Sequence, residues 1–119
     1  MNQFKLFVLV IFFAVAAASC LDSKTKRFSI AESKAYEASL FRQNCSICHG
    51  PEALGQTLDD GRVIPDLREG AFKYKTDDEI FRHISEGGNG MIPFRNQLTP
   101  REINLLVGMV QNELRKGER

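Results

Sequence analysis

Two thiols and an imidazole sit together in Cys45-Ser46-Ile47-Cys48-His49. Thiols separated by two residues can each reach one vinyl group on the same edge of a porphyrin, and the adjacent imidazole then faces the iron from one side. The spacing therefore reads as a covalent haem attachment site. Other uses of a Cys-x-x-Cys pair are weaker here. A thioredoxin-like redox pair belongs in a βαβ pattern, and none surrounds this one. A structural zinc site needs two more ligands at matching spacing, whereas the chain has two histidines in all and one further cysteine. A plain Cys45–Cys48 disulfide would leave His49 incidental.

The opposite face of the iron decides what such a site does. Met91 is the candidate ligand there, because its soft thioether favours Fe(II) and raises the reduction potential. The glycines of Gly87-Gly88-Asn89-Gly90 let the backbone approach closely, and Pro93 stiffens the exit. The competing use of Met91 is to plug an apolar gap. Met109 sits within a helical pattern and reads as packing, and Met1 belongs to a leader. His83 lies on a helix and is expected to face solvent rather than compete for the metal.

These groups are delivered by an exported chain. One positive charge at Lys5 precedes the unbroken apolar run Leu6–Ala18. That run is short beside the roughly 20 residues of a transmembrane helix and fits the h-region of a secretory signal. Ala16-Ala17-Ala18-Ser19 is cleavage-site chemistry, and export suits haem attachment. With two thiols claimed, Cys20 is left over directly after those small residues. The arrangement resembles a bacterial lipobox, although Ala17 stands where leucine is usual, so acylation of Cys20 is expected. Acyl chains there would hold the protein on a membrane. The expected organisation is a signal peptide over 1–19, a lipid-anchored tether over 20–28 and one domain over 29–119. The expected location is the cell envelope, facing the periplasm or the exterior. Beyond the signal peptide, 15 basic and 15 acidic residues remain. Without a basic excess, nothing points to nucleic acid.

Three helices are expected to position the site. Ser29-Ile30-Ala31-Glu32 matches a capping box opening a helix whose stripe of Ala31, Ala35, Ala38, Phe41 and Cys45 runs into the haem motif. Gly50–Gly70 reads as a long loop, and a haem edge is a good reason for one. Thr76-Asp77-Asp78-Glu79 is a second capping box, with Ile80, Phe81 and Ile84 behind it. Thr99, Pro100 and Glu102 open the last helix, with Leu98 and Ile103 as hydrophobic staple and a stripe of Ile103, Leu106, Val107, Val110 and Leu114. No segment reads as a strand.

In that order, these features resemble the class I monohaem cytochromes c over Ser29–Gly117. Phe41 stands four residues before the first cysteine, as the family's aromatic does, and Pro65-Asp66-Leu67 is similar to its Pro-Asn-Leu segment. The resemblance implies an all-α cytochrome c fold with three main helices and long loops around one covalently bound haem c. It further implies that the Pro65 carbonyl accepts a hydrogen bond from His49 and that Leu67 packs on the ring. Two positions depart from the family. Glu37 stands where the first helix usually has a glycine at the helix crossing, and Met109 where the last helix usually has an aromatic. Ala38 is expected to make the close approach instead, with Glu37 at the rim near Lys34 and Gly108 away from the contact.

With His49 and Met91 filling both axial sites, the expected function is one-electron transfer between membrane-associated redox proteins (a dehydrogenase, an oxidase or another cytochrome), and not catalysis. The alternatives are a haem subunit of such a complex, and an enzyme or gas sensor with a displaceable sixth ligand.

Overall fold

The first helix, α1 (Tyr36–Asn44), starts later than the capping pattern at Ser29 implies. Ser29 does close a single turn, accepting Glu32 N at 3.2 Å on Oγ and Ser33 N at 3.1 Å on its carbonyl. Glu32 does not reach back to complete the box, and instead meets the exposed Lys26 at 2.8 Å. A carboxylate from elsewhere takes over. Glu52 accepts the Ser29 hydroxyl at 3.0 Å and the amides of Ile30 and Ala31 at 3.0 and 2.9 Å. The turn is thus bonded to the loop behind the haem motif, and the chain re-enters helix only after Ala35, which supplies no side-chain cap. The computed structural model describes residues 2, 3, 5, 7, 8 and 26–116. Most of the leader's apolar run, Cys20 and most of the tether lie outside them. Within them, Phe28 packs against the core and Arg27 pairs with Glu69, so the last tether residues are docked. Among the described residues no helix is long and apolar enough to cross a membrane.

Over residues 26–116 the α-helices are, in order, α1, the one-turn α2 (Ser46–His49), α3 (Asp77–Glu86) and α4 (Pro100–Met109). A wider π turn over Val110–Leu114 extends α4. The long loop also holds an antiparallel ribbon, β1 (Gln56–Thr57) with β2 (Val63–Ile64), where no strand is expected from the sequence. Two-residue strands are below the length at which alternation can be read. Over residues 26–116 the fold is therefore helical with a small β-ribbon, and the single turn of α2 adds to the three helices expected there.

Helices α1 and α4 cross, and the core lies between them. Ala38 is fully buried on α1, in one core cluster with Phe41, Ile103, Leu106, Val107 and Val110. Glu37 is half-buried and makes no ion pair with Lys34. The crossing has a polar clamp that the sequence pattern does not reveal, since Tyr36 Oη donates to Glu102 at 2.6 Å. Gly108, expected to be largely exposed, is half-buried, but it has open space beside it. A Cβ built there meets only Asn112 Nδ2, at 4.0 Å. Gly108→Ala is expected to be neutral or stabilising by up to about 1 kcal/mol in thermal unfolding, because alanine costs less helix entropy than glycine.

The expected starts of α3 and α4 are both present. Thr76 and Glu79 form a reciprocal capping box, as do Thr99 and Glu102, with Pro100 at the first helical turn. The π turn has a consequence for packing. It keeps Val110 and Leu114 in the core while Gln111 and Arg115 grip the segment before α3. Gln111 Nε2 donates to the Lys75 carbonyl at 2.8 Å, and Arg115 Nη1 to that of Tyr74 at 2.9 Å.

Candidate haem site

One side of the site is built by the turn carrying the cysteines. Helix α1 runs into α2 almost without interruption: Cys45 N donates to the Phe41 carbonyl at 2.8 Å and His49 N to that of Cys45 at 2.9 Å. Phe41 and His49 are thereby set with ring centroids 6.4 Å apart. Gly50 then turns the chain with φ +80°, and Gly55 N returns to the His49 carbonyl at 3.1 Å. Gly55 cannot carry a side chain, since a Cβ would lie 2.8 Å from the Pro65 carbonyl carbon. Ala53 is fully buried at φ +61°, and its carbonyl accepts Leu67 N at 2.9 Å. These contacts bring the Pro65–Leu67 segment against the loop behind His49.

The other side is built by the chain leaving α3. Gly87 caps that helix by donating to the His83 carbonyl at 2.8 Å. At φ +72° its Cβ would stand 2.6 Å from the Met91 carbonyl oxygen, so only glycine fits. Asn89 and Gly90, at φ +52° and +87°, form a two-residue hairpin turn closed by paired hydrogen bonds between Gly88 and Met91 of 2.9 and 3.0 Å. This turn holds the Met91 backbone beside α3.

Between the two sides lies an open apolar cavity lined by Phe41, Cys45, His49, Leu67, Ile84, Met91, Leu106 and Val110. It brings together four of the residues expected at the site. Cys48 is half-buried and outside the lining, and Pro65 is exposed. The bond from His49 to the Pro65 carbonyl is not formed here; His49 Nδ1 is buried without a hydrogen-bond partner. Met109 is 2% exposed and packs in the core, away from the cavity. His83 does not face solvent freely, because its ring stacks on Tyr74 at 4.2 Å.

The chemistry of this donor set fits a haem. Both cysteines are free thiols. Burial, then the neighbouring Cys48, pushes the Cys45 thiol up to about 12. A thiol so reluctant to ionise is a poor exchange nucleophile, which counts against a redox dithiol. Burial, reinforced by His83, lowers the His49 pKa, so the imidazole stays neutral with a lone pair to offer. Among the described residues no cluster of three or more His, Cys, Asp or Glu exists that could hold a bare metal ion. An apolar cavity with one imidazole and one thioether suits a metal carried by an apolar ring.

The chain belongs to the family whose model is described as cytochrome c oxidase, cbb3-type, subunit III, a family of monohaem cytochrome c domains; the match covers residues 35–108. It is similar to a solved structure titled "KustC0563 c-type cytochrome", at 34% identity over 66% of this chain and 95% of that one, with a TM-score of 0.44. No curated protein matches. A cytochrome c domain implies haem-based electron transfer.

Sequence reasoning does not find the support behind the site. Arg68, 3% exposed, donates through Nε to the Glu52 carbonyl at 2.5 Å and through Nη2 to its carboxylate at 2.8 Å. Burial works to raise the Glu52 pKa, but the amides of Ala31 and Ile30, the Ser29 hydroxyl and Arg68 outweigh it and leave it low. A carboxylate depressed in the folded state stabilises above its unfolded pKa, and that contribution is lost as pH falls through the folded value. Glu52→Gln is therefore expected to cost about 2 kcal/mol at neutral pH, since it leaves the Arg68 charge unpaired and Glu52 itself is partly solvated. In urea unfolding of the two proteins, the difference should shrink below about pH 4. A gap that stays constant into acid would show that the charge of Glu52 is immaterial.

Proposed function

We propose that the protein is a one-electron carrier that uses a single covalently attached haem c with His49 and Met91 as axial ligands. The observation that carries this reading is the placing of His49 and Met91, from separate elements, on one apolar cavity with Cys45. Cys45 and Cys48 would hold the ring by thioethers, and Leu67 and Phe41 would pack on it. The bound group supplies the Fe(III)/Fe(II) couple. The chain's own part is to fix that couple's environment. The apolar lining excludes water, the neutral imidazole of His49 is a ready donor, and the thioether of Met91 favours the reduced state. With both axial positions filled, no site is left for a substrate, so the reading is a carrier and not an enzyme. An optical spectrum of the haem-loaded protein tests it. A thioether–iron charge-transfer band in the oxidised form is expected, with slow carbon monoxide binding in the reduced form. Rapid carbon monoxide binding would favour a gas sensor or enzyme instead.

The family description favours a second arrangement, in which the domain serves as the haem subunit of an oxidase complex. Co-purification with an oxidase separates it from a free shuttle. In either case the proposed partners are redox proteins at a membrane in the cell envelope. The proposed anchor is acylated Cys20. Cys20→Ser is expected to move the protein from the membrane fraction to the soluble or unprocessed one, and an unmodified Cys20 by mass spectrometry would end that proposal.

A further inference from the structure

The turn that carries Met91 has little packing of its own. Gly88, Asn89, Gly90, Ile92 and Pro93 are all exposed. Apolar burial therefore does not fix its tip, and polar contacts must. Its base is tied to α3 by Gly87 N to the His83 carbonyl and by Phe94 N to the Ile84 carbonyl at 3.0 Å. Two side chains reach the tip. Arg62 Nη1 approaches the Gly90 carbonyl at 3.3 Å, but this arginine is half exposed and its Nε is engaged by Asp60 at 2.7 Å. Tyr74 makes the shorter contact, its hydroxyl accepting from Asn89 Nδ2 at 2.7 Å.

Tyr74 is itself held rigidly. Its ring stacks on His83 at 4.2 Å with the planes 26° apart, and Lys73 Nζ lies 5.6 Å from the ring centroid. Its carbonyl is held by Arg115 from the end of the α4 extension. A ring fixed to α3 and a carbonyl fixed to α4 give the hydroxyl a defined position. Asn89 is the residue of the turn that can reach it with a side chain.

We infer that Tyr74 is a positioning residue for Met91. By clasping Asn89 it sets how readily the thioether gives way to a competing ligand. This rests on the reading of Met91 as the axial ligand. The consequence is a graded one, because one hydrogen bond between neutral groups biases a two-state loop only modestly.

The test is an imidazole titration of the oxidised, haem-loaded protein, with thermal unfolding of the same samples. Tyr74→Phe keeps the stack on His83 and removes only the hydroxyl. Asn89→Gly keeps the positive φ and removes the amide. Each is expected to bind imidazole about fivefold more tightly with a weakened thioether–iron band and an unchanged unfolding midpoint, and the double variant should be no tighter than the single ones. Wild-type imidazole affinity in Tyr74→Phe, or fully additive effects, would overturn the clasp. Met91→Ala separates the two claims. If it leaves the band and the imidazole affinity unaltered, the ligand assignment fails and the clasp with it. If it changes both while Tyr74→Phe changes neither, only the clasp falls.

Discussion

Cys45→Ala combined with Cys48→Ala is expected to give a protein that surrenders its haem to acidified organic solvent and folds poorly. The unaltered protein should keep its haem through the same treatment. A thioether is a covalent bond and survives unfolding, whereas contact with Phe41, Leu67, Ile84, Leu106 and Val110 ends when the chain opens. The folding defect follows from size. A small domain buries a smaller share of its surface than a large one, and the cavity is lined by core residues of α1, α3 and α4. A ligand bound only by the folded state stabilises that state, and a tethered one does so without dilution. Each single replacement should be milder, since one thioether still prevents loss. Cys45, which lines the cavity, should matter more to folding than the half-buried Cys48. Haem released from the unaltered protein would rule out covalent attachment.

Much of this arrangement was legible because it is written in local patterns. The boxes at Thr76 and Thr99 are read from hydroxyl and carboxylate three residues apart, and both close as expected. The stripes that bury Phe41, Ile103, Leu106 and Val110 follow helical spacing. Ser29 shows where that logic stops. The same box pattern is present, yet Glu52 from beyond the haem motif takes the amides, and a contact across more than twenty residues leaves no periodic trace. Arg68 and Tyr74 escaped for a related reason. Each lies in a segment without periodicity, and its role depends on one partner, Glu52 or Asn89, that only the folded chain brings near. The turn around Met91 was partly visible, since the glycines before it let the backbone approach closely, but the hairpin pairing of Gly88 with Met91 was not expected. The ribbon of β1 and β2 is too short to alternate. His83 was expected in solvent because its helix position alone does not reveal the ring of Tyr74 arriving from the preceding loop.

Met91→Ala and Met109→Ala are expected to fail in opposite ways. Both methionines are near the core, but only Met91 lines the cavity with His49. Its backbone is fixed by the turn over Asn89 and Gly90 and by Gly87, where any larger residue would strike the Met91 carbonyl. Removing the thioether should leave that turn intact and open one axial position. The reduction potential should then fall, the thioether–iron band vanish and carbon monoxide bind, because the soft ligand that favours the reduced state is gone. Met109, 2% exposed on α4, is not among the residues that line the cavity. Met109→Ala should keep the spectrum and potential and lose about 2–4 kcal/mol of stability, the usual cost of emptying a buried site of that size. Paired spectra and unfolding curves of the two variants decide the matter. A spectrum controlled by Met109 and indifferent to Met91 would reverse the assignment, and with it the reason for the glycines that shape the turn at 87–90.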